Sequence, residues 1–250
     1  MDTVAVICSA CQPDCYPALA LLQTTGKTLV EHSYELAKAA SRISDVVVVT
    51  DNEQVGGIAQ SLGVQATVGD LTPVNRLKTV AQAVENRQAD CVVVLNADNP
   101  TLETKSLDLL VDTLAQDSGA QIAGLVVPIR MPARWQTTSF IKAVADQEGR
   151  LLYLSRSPIP YVRDGAVDFT AEPPALLEYI EVSAYRLCAL RQLAQMPPHP
   201  LEIAERIPEL RAVLNAWPVR LALIGHGGCK ISSFDDYDFF VQSYKRSRAA

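Results

Sequence analysis

Asn96, Asp98 and Asn99 follow directly on an apolar run, Cys91 to Leu95, and Pro100 closes the stretch. A short, continuous run rich in β-branched residues has the pattern of a strand buried on both faces of a parallel sheet. Ligands of open α/β sheets bind beyond the carboxyl ends of the strands, so these polar side chains are placed for ligand contact. A carboxylate there can hold Mg²⁺ against a nucleotide phosphate; the alternative is that Asp98 caps the helix beginning at Thr101. A second group is made of thiols, Cys8-x₂-Cys11-x₃-Cys15, with Cys229 and His226 in a late segment expected at the same sheet edge. Thiolates so spaced can hold Zn²⁺ or an Fe–S cluster, although the spacing matches neither a zinc ribbon nor a ferredoxin run. The alternative for Cys8 is a small buried apolar residue. Thr25-Gly26-Lys27-Thr28 ends like a phosphate-binding loop, but Leu21 stands where that motif needs its first Gly. His32, His199, Trp135 and Trp217 are isolated and read as packing or turn residues.

The elements that must position these residues come from periodicity. Strands are expected over Val4 to Cys8, Asp45 to Thr50, Val64 to Val68, Cys91 to Leu95 and Ile122 to Ile129. Helices are expected between them over Thr28 to Arg42, Gln54 to Leu62, Leu77 to Asn86 and Lys105 to Asp117. This alternation predicts an α/β fold with a mostly parallel sheet and helices on both faces. The second half reads as a hairpin, Ile141 to Asp146 with Arg150 to Leu154, followed by a strand over Ile180 to Arg186 and a helix over Ala189 to Gln195. A helix over Leu201 to Ala216, broken or kinked at Pro208, a strand over Val219 to Ile224 and a helix over Phe234 to Arg246 complete the chain.

With 250 residues, 48% hydrophobic and 20% charged, the chain has the composition of a globular protein. A net charge of −6 argues against nucleic acid or an anionic membrane as partner. No apolar run approaches the roughly 20 residues of a membrane span. The N-terminus shows no signal-peptide pattern, so a cytoplasmic location with largely reduced cysteines is expected.

Leu152-Tyr153-Leu154-Ser155-Arg156-Ser157-Pro158-Ile159-Pro160-Tyr161-Val162-Arg163-Asp164-Gly165 resembles the ALYFSRxPIPYxRDG pattern of CMP-KDO synthetase, the 3-deoxy-manno-octulosonate cytidylyltransferase family. Ser183-Ala184-Tyr185-Arg186 is similar to the family's xYAYR strand. His199-Pro200-Leu201-Glu202, with Glu205, Glu209, Leu210 and Arg211, resembles its SPLExxExLEQLR segment. Asn96 to Pro100 stands at its QGDEP, and Gly26-Lys27 at its NGKP turn. The resemblance implies a Rossmann-like nucleotidyltransferase fold with a smaller β-rich sugar-binding and dimerisation part. It makes 1–250 a single domain: a nucleotide-binding half at 1–130, a sugar-binding and dimerisation part at 131–216, and a returning strand and helix at 217–250. It implies a reaction in which a sugar-acid oxygen attacks the α-phosphate of CTP, with Mg²⁺ as cofactor. The partners it implies are CTP, a sugar acid such as KDO, and a second subunit, either a copy or an active relative.

By the same resemblance, Ser9, Asn75, Arg76, Asn96 and Asp98 face the nucleotide. Lys142, Arg156, Tyr179, Tyr185 and Glu209 face the sugar, and Asp98 with Ser232 takes the metal positions. Several positions depart from the pattern. The family's cationic loop PARYxSTRLPGKPL has Ala10 and Cys15 at its Arg positions and Leu19 at its Lys position, while Asp14 adds a negative charge. One such cation can be worth roughly 10³ in rate. Ser232 replaces the second metal Asp, Tyr179 replaces a His, and Glu209 replaces a Gln. Three readings follow: an impaired homologue that acts by binding or pairing; an active transferase that recruits Lys27, Arg76 or Lys230; and a metal or Fe–S protein built on Cys8, Cys11, Cys15 and Cys229.

Overall fold

A computed structural model describes residues 1–11 and 17–249. The strands are β1 (Thr3–Ser9), β2 (Asp45–Thr50), β3 (Gln65–Val68), β4 (Cys91–Asn96), β5 (Ile122–Pro128), β6 (Ile141–Ala145), β7 (Leu151–Ser155), β8 (Leu177–Arg186) and β9 (Val219–Leu223). The helices are α1 (Pro17–Leu21), α2 (Leu29–Ala39), α3 (Glu53–Ser61), α4 (Arg76–Ala83), α5 (Thr104–Gln116), α6 (Pro132–Gln136), α7 (Leu187–Gln195), α8 (Pro200–Glu205), α9 (Leu210–Leu214) and α10 (Phe234–Ala249).

Among the described residues one nine-stranded sheet runs in the order β3-β2-β1-β4-β8-β5-β9, with β6 joined to β8 and β7 to β6. The valine-rich runs lie at its centre because both their faces are covered: Val6 sits between Val47 and Val94. Alternate residues of β1 feed two cores. Val4, Val6 and Cys8 pack on one face with Leu77 and Leu190, and Ala5 and Ile7 pack on the other with Leu107 and Leu110. A third cluster, Leu19, Leu29, Ile231, Tyr237, Phe240 and Val241, fastens α10 to α1 and α2.

The expected α/β sheet is present and mixed. Strand β8 runs antiparallel to both neighbours, β4 and β5, inside an otherwise parallel central set. The expected helix over Leu201 to Ala216 is two helices. Arg206 takes a left-handed conformation, φ 54°, and ends α8; Pro208 follows, and α9 starts afresh. Pro lacks the N–H and clashes with the preceding turn, so the break is a full stop rather than a kink. His199 caps α8: its Nδ1 accepts from Leu201 N at 3.1 Å, and Glu202 returns the bond to His199 N. The hydroxyl of Thr28 caps α2 in the same reciprocal way with Glu31.

Candidate functional site

The carboxyl ends of β1 and β4 meet at one lip of the sheet. Cys8 pairs with Asn96, and Ala97 N donates to Cys8 O at 2.9 Å, which carries residues 97–99 past the strand end beside Ser9. Residues 227–231 are laced onto this lip. Asn99 Nδ2 donates to Gly227 O at 2.8 Å, Cys229 N to Thr101 Oγ1 at 2.7 Å, and Ile231 N to Asp98 O at 2.7 Å. Ile231 is buried in the third cluster and pins the segment from beneath. The result places Lys230 in the same cleft as Asp98.

The third wall comes from β8. Its register against β5 shifts between Gly124 and Leu125, leaving Glu181 and Val182 as an irregularity in the ladder. Such a bulge re-aims side chains, and Glu181, opposite the end of β4, faces the cleft. Glu181 forms an ion pair with Lys230 and accepts from Asn96 Nδ2 at 3.5 Å. Arg76, in the first turn of α4, donates to Asn96 Oδ1. Asp98, Glu181 and Lys230 line one cleft with Arg134, Glu178 and Tyr179, and Arg76, Asn96, Glu181, Tyr185, Arg206 and Glu209 line a second beside it.

The electrostatics follow this geometry. Burial pushes the Asp98 carboxyl up to about 6, against the opposing pull of Lys230. Burial works against the Glu181 charge also, but direct contact with Lys230 outweighs it and holds that carboxyl low. Burial disfavours the Lys230 ammonium, and Glu181 with Asp98 more than compensates, so its pKa is raised. The single ammonium is thus shared unequally between two carboxylates, with Glu181 holding the larger part.

Around Glu209 the groups are neutral donors. Ser183 Oγ donates to Glu209 Oε1 at 2.8 Å and Tyr185 Oη at 3.1 Å, and Tyr179 Oη meets Ser183 Oγ at 2.7 Å. Burial first and Glu209 second raise both tyrosines well above the usual phenol range. The ring of Tyr179 lies against Gly124, where a Cβ would come within 2.5 Å of it. Among the expected sugar contacts, Tyr179, Tyr185 and Glu209 therefore converge.

Lys142 and Arg156 do not line either cleft. Lys142 is fully buried, and its ammonium donates to three carbonyls, Thr137 and Phe140 at 2.7 Å and Arg156 at 2.6 Å. Arg156 Nε donates to Glu205 O at 2.7 Å and Nη1 to Thr138 O at 3.2 Å. Lys142 is spent on the chain's own backbone, whereas Arg156 ties the hairpin to α8 and its charge also favours the Glu181 carboxylate.

The described residues expected at nucleotide and metal positions have local partners. Leu19 is a buried member of the cluster under α10, and Ala10 is half-buried against the core that holds Cys8. Ser9 is buried, and its carbonyl accepts from Thr50 Oγ1 at 2.8 Å. Asn75 donates to Asp70 rather than into the cleft. Ser232 N and Oγ both donate to Asp236 Oδ2 at 2.9 Å, and Ser233 Oγ accepts from Asp236 N, so Asp236 is occupied at the head of α10. Lys27 is paired with Glu35.

The thiol reading needs correction for its described members. Cys8 and Cys11 pack in different cores on opposite faces of the sheet, because β1 alternates and the chain has turned by residue 11. Cys229 donates its backbone N–H to Thr101, and His226 Nδ1 accepts from Gly228 N at 3.1 Å. Among the described residues no three His, Cys, Asp or Glu side chains converge on a metal position. Gln12, Pro13, Asp14, Cys15 and Tyr16 lie outside the described residues. Among the described residues no helix is long and apolar enough to cross a membrane.

Glu181 is the cleft residue that sequence reasoning missed. Its signal was a carboxylate in the otherwise buried run Tyr179 to Val182. Comparison with known proteins locates the architecture. Residues 19–221 match the cytidylyltransferase family. The chain is 31% identical to the 3-deoxy-manno-octulosonate cytidylyltransferase of Geobacter sulfurreducens, over 98% of this chain and all of that one. It is 30% identical to that of Syntrophobacter fumaroxidans, over 89% of each. The fold superposes on CMP:2-keto-3-deoxy-manno-octonic acid synthetase complexed with CTP, with a TM-score of 0.86, 24% identity and coverage of 99% of this chain and 100% of that one. A cytidylyltransferase from Leptospira borgpetersenii gives a TM-score of 0.64 at 17% identity, over 96% of this chain and 85% of that one.

Proposed function

The chain belongs to the cytidylyltransferase family, in its 3-deoxy-manno-octulosonate branch, and we propose that it is an impaired member, one that keeps the ligand clefts and does not carry metal-assisted transfer of CMP from CTP to KDO. The relatives' names supply the reaction class, and the solved relative supplies CTP as the nucleotide. The observation that carries the proposal is at the phosphate end. Asp98 shares its cleft with the Lys230–Glu181 ion pair, and Ser232, at the family's second metal position, is bonded to Asp236.

Family transfer uses Mg²⁺ to neutralise charge that moves onto the leaving pyrophosphate. The donor set here does not fit that role. One carboxylate remains of the implied pair, a hydroxyl is a poor ligand for a hard divalent cation, and an ammonium stands beside the carboxylate that is left. No step is therefore routed through a metal. Of the cations that could replace the lost loop charges, Lys27 and Lys230 are ion-paired to Glu35 and Glu181. Arg76 is held on Asn96, where it orients the end of β4. What these residues can do is bind: Arg76 offers a guanidinium at the lip, and Tyr185 and Glu209 offer fixed hydrogen-bonding groups on the neighbouring wall.

Pyrophosphate release from CTP and KDO with Mg²⁺, run beside Asp98→Asn, tests the reading. The expected result is no release above that control. Turnover in the parent that vanishes in Asp98→Asn overturns it and returns the transferase reading.

A further inference from the structure

Three features of the cleft carry the reading above a step further. Glu181 is aimed inward by a bulge instead of lying in the ladder. Lys230 reaches it from a segment fixed by three hydrogen bonds to residues 98–101. Asn99, which lines the same cleft, has a buried Oδ1 with no partner among the described residues. Two carboxylates and an amide oxygen are the donor types that hard divalent cations take. The cation that shares their cleft is the Lys230 ammonium, in contact with Glu181.

We propose that Lys230 is a built-in counter-cation that closes a latent divalent-cation seat between Asp98 and Glu181, so that ligands enter this cleft without a metal. The seat differs from the one implied by the family resemblance, because its second carboxylate is Glu181 on β8 rather than the Ser232 position before α10. A tethered ammonium neutralises Glu181 at contact distance and raises the cost of bringing a second cation beside Asp98. It has no empty coordination sites and cannot bridge phosphate oxygens as a metal does, which accords with a cleft that binds and does not transfer.

The inference rests on the impaired-transferase reading, but its test uses a metal alone and fails separately from pyrophosphate release. Mn²⁺ is titrated into the full chain and free Mn²⁺ is followed by electron paramagnetic resonance. The parent should show no stoichiometric site. Lys230→Ala, and Lys230→Met, which keeps the aliphatic stem, should gain one site that binds Mn²⁺ about tenfold or more tighter, the scale of a one-unit interaction between neighbouring charges. Glu181→Gln added to Lys230→Met should remove it. A stoichiometric site in the parent overturns the proposal whatever the variants do. So does a folded Lys230→Met that binds no better than the parent, or a gained site that survives Glu181→Gln. If neither Lys230 variant folds, Glu181→Gln decides in an otherwise unchanged chain: the proposal expects Mn²⁺ binding as absent as in the parent, and a gained site refutes it.

Discussion

Glu202→Gln is the substitution whose effect can be worked out most fully. Glu202 in α8 and Arg211 in α9 form a two-pronged ion pair, Arg211 Nε to Oε2 at 2.8 Å and Nη2 to Oε1 at 2.6 Å, with side chains 0% and 2% exposed. Arg211 also donates to Leu193 O at 2.9 Å, Met196 O at 3.2 Å and Val74 O at 3.3 Å. The last of these ties α9 to the turn that carries Asn75 and Arg76, so one guanidinium braces both walls of the second cleft. Replacing Glu202 with Gln keeps the shape and leaves a buried guanidinium without its counter-charge, which costs about 3–5 kcal/mol. For a chain of this length each kcal/mol is worth about 2 °C, so the melting temperature should fall by about 6–10 °C. Arg211→Met should lose about 1–3 kcal/mol more than Glu202→Gln, because it also strands buried carbonyls. For the same reason the double variant Glu202→Met/Arg211→Met should not recover parental stability. Thermal and urea unfolding followed by circular dichroism would measure all three. A loss below about 1 kcal/mol in Glu202→Gln, the range of exposed pairs, would refute the assignment of this pair as a buried brace.

His32 is buried beside Phe240 and Tyr244, its Nε2 bonded to Thr25 Oγ1 at 2.7 Å, and burial with Lys27 nearby lowers its pKa despite Glu35 and Glu31. A depressed folded pKa means that the neutral ring's contribution is full above about 6.5 and is lost as pH falls through the folded value. Melting temperature should therefore drop between pH 7 and pH 5 by more in the parent than in His32→Phe, and equal slopes would remove His32 from the account. Gly228 has φ +75°, and a Cβ there would lie 2.2 Å from Asn99 Oδ1. Gly228→Ala should cost about 1–3 kcal/mol from the strained conformation alone, and a change within about 0.5 kcal/mol, the range of neutral surface substitutions, would show that the 227–231 lacing is not tight.

The parts of the fold that sequence revealed are those where a single physical demand acts. Asp45 to Thr50 was bounded correctly because a valine run buried on both faces leaves no other register. The direction of β8 was not legible, since burial pattern carries no sign for parallel or antiparallel pairing. Pro208 announced an interruption between α8 and α9, but whether it breaks or kinks depends on the left-handed backbone at Arg206, which no local pattern shows. Short α6 was missed because five residues carry less than two turns of pattern. At the site, Asn96 and Asp98 were reachable from the strand-end rule, and Arg76 only through the family resemblance. Glu181 was reachable only as an anomaly, because its position depends on a bulge that no local pattern announces.

The similarity to the cytidylyltransferase relatives is compatible with the proposed impairment because many of the resembling residues do structural work in this chain. Arg186, in the segment similar to the family strand, spends its guanidinium on Ala120 O at 2.8 Å, Leu114 O at 3.0 Å and Asp117 O at 3.1 Å, the end of α5. Glu205 accepts from Ser155 Oγ at 2.6 Å and from Arg156 N at 2.8 Å. Lys142, Arg156, Glu202 and Arg211 are likewise consumed by backbone or by each other. Lys142, Glu202 and Arg211 are buried, Arg156, Arg186 and Glu205 are half-buried, and removal of any of them would leave hydrogen-bond partners unsatisfied, so each stabilises the fold whether or not the cleft catalyses anything. Ala10, Leu19 and Ser232, where the sequence departs from the resembled pattern, likewise have local partners or apolar neighbours. Leu19 shows the consequence most directly. It is 3% exposed, packed with Ile231 beneath α10. A lysine restored there would have to bury its stem in that cluster and lift its ammonium out past Ile231. Leu19→Lys should therefore loosen the 227–231 segment and lower the melting temperature, and an unchanged melting temperature would show that the cluster tolerates the buried stem.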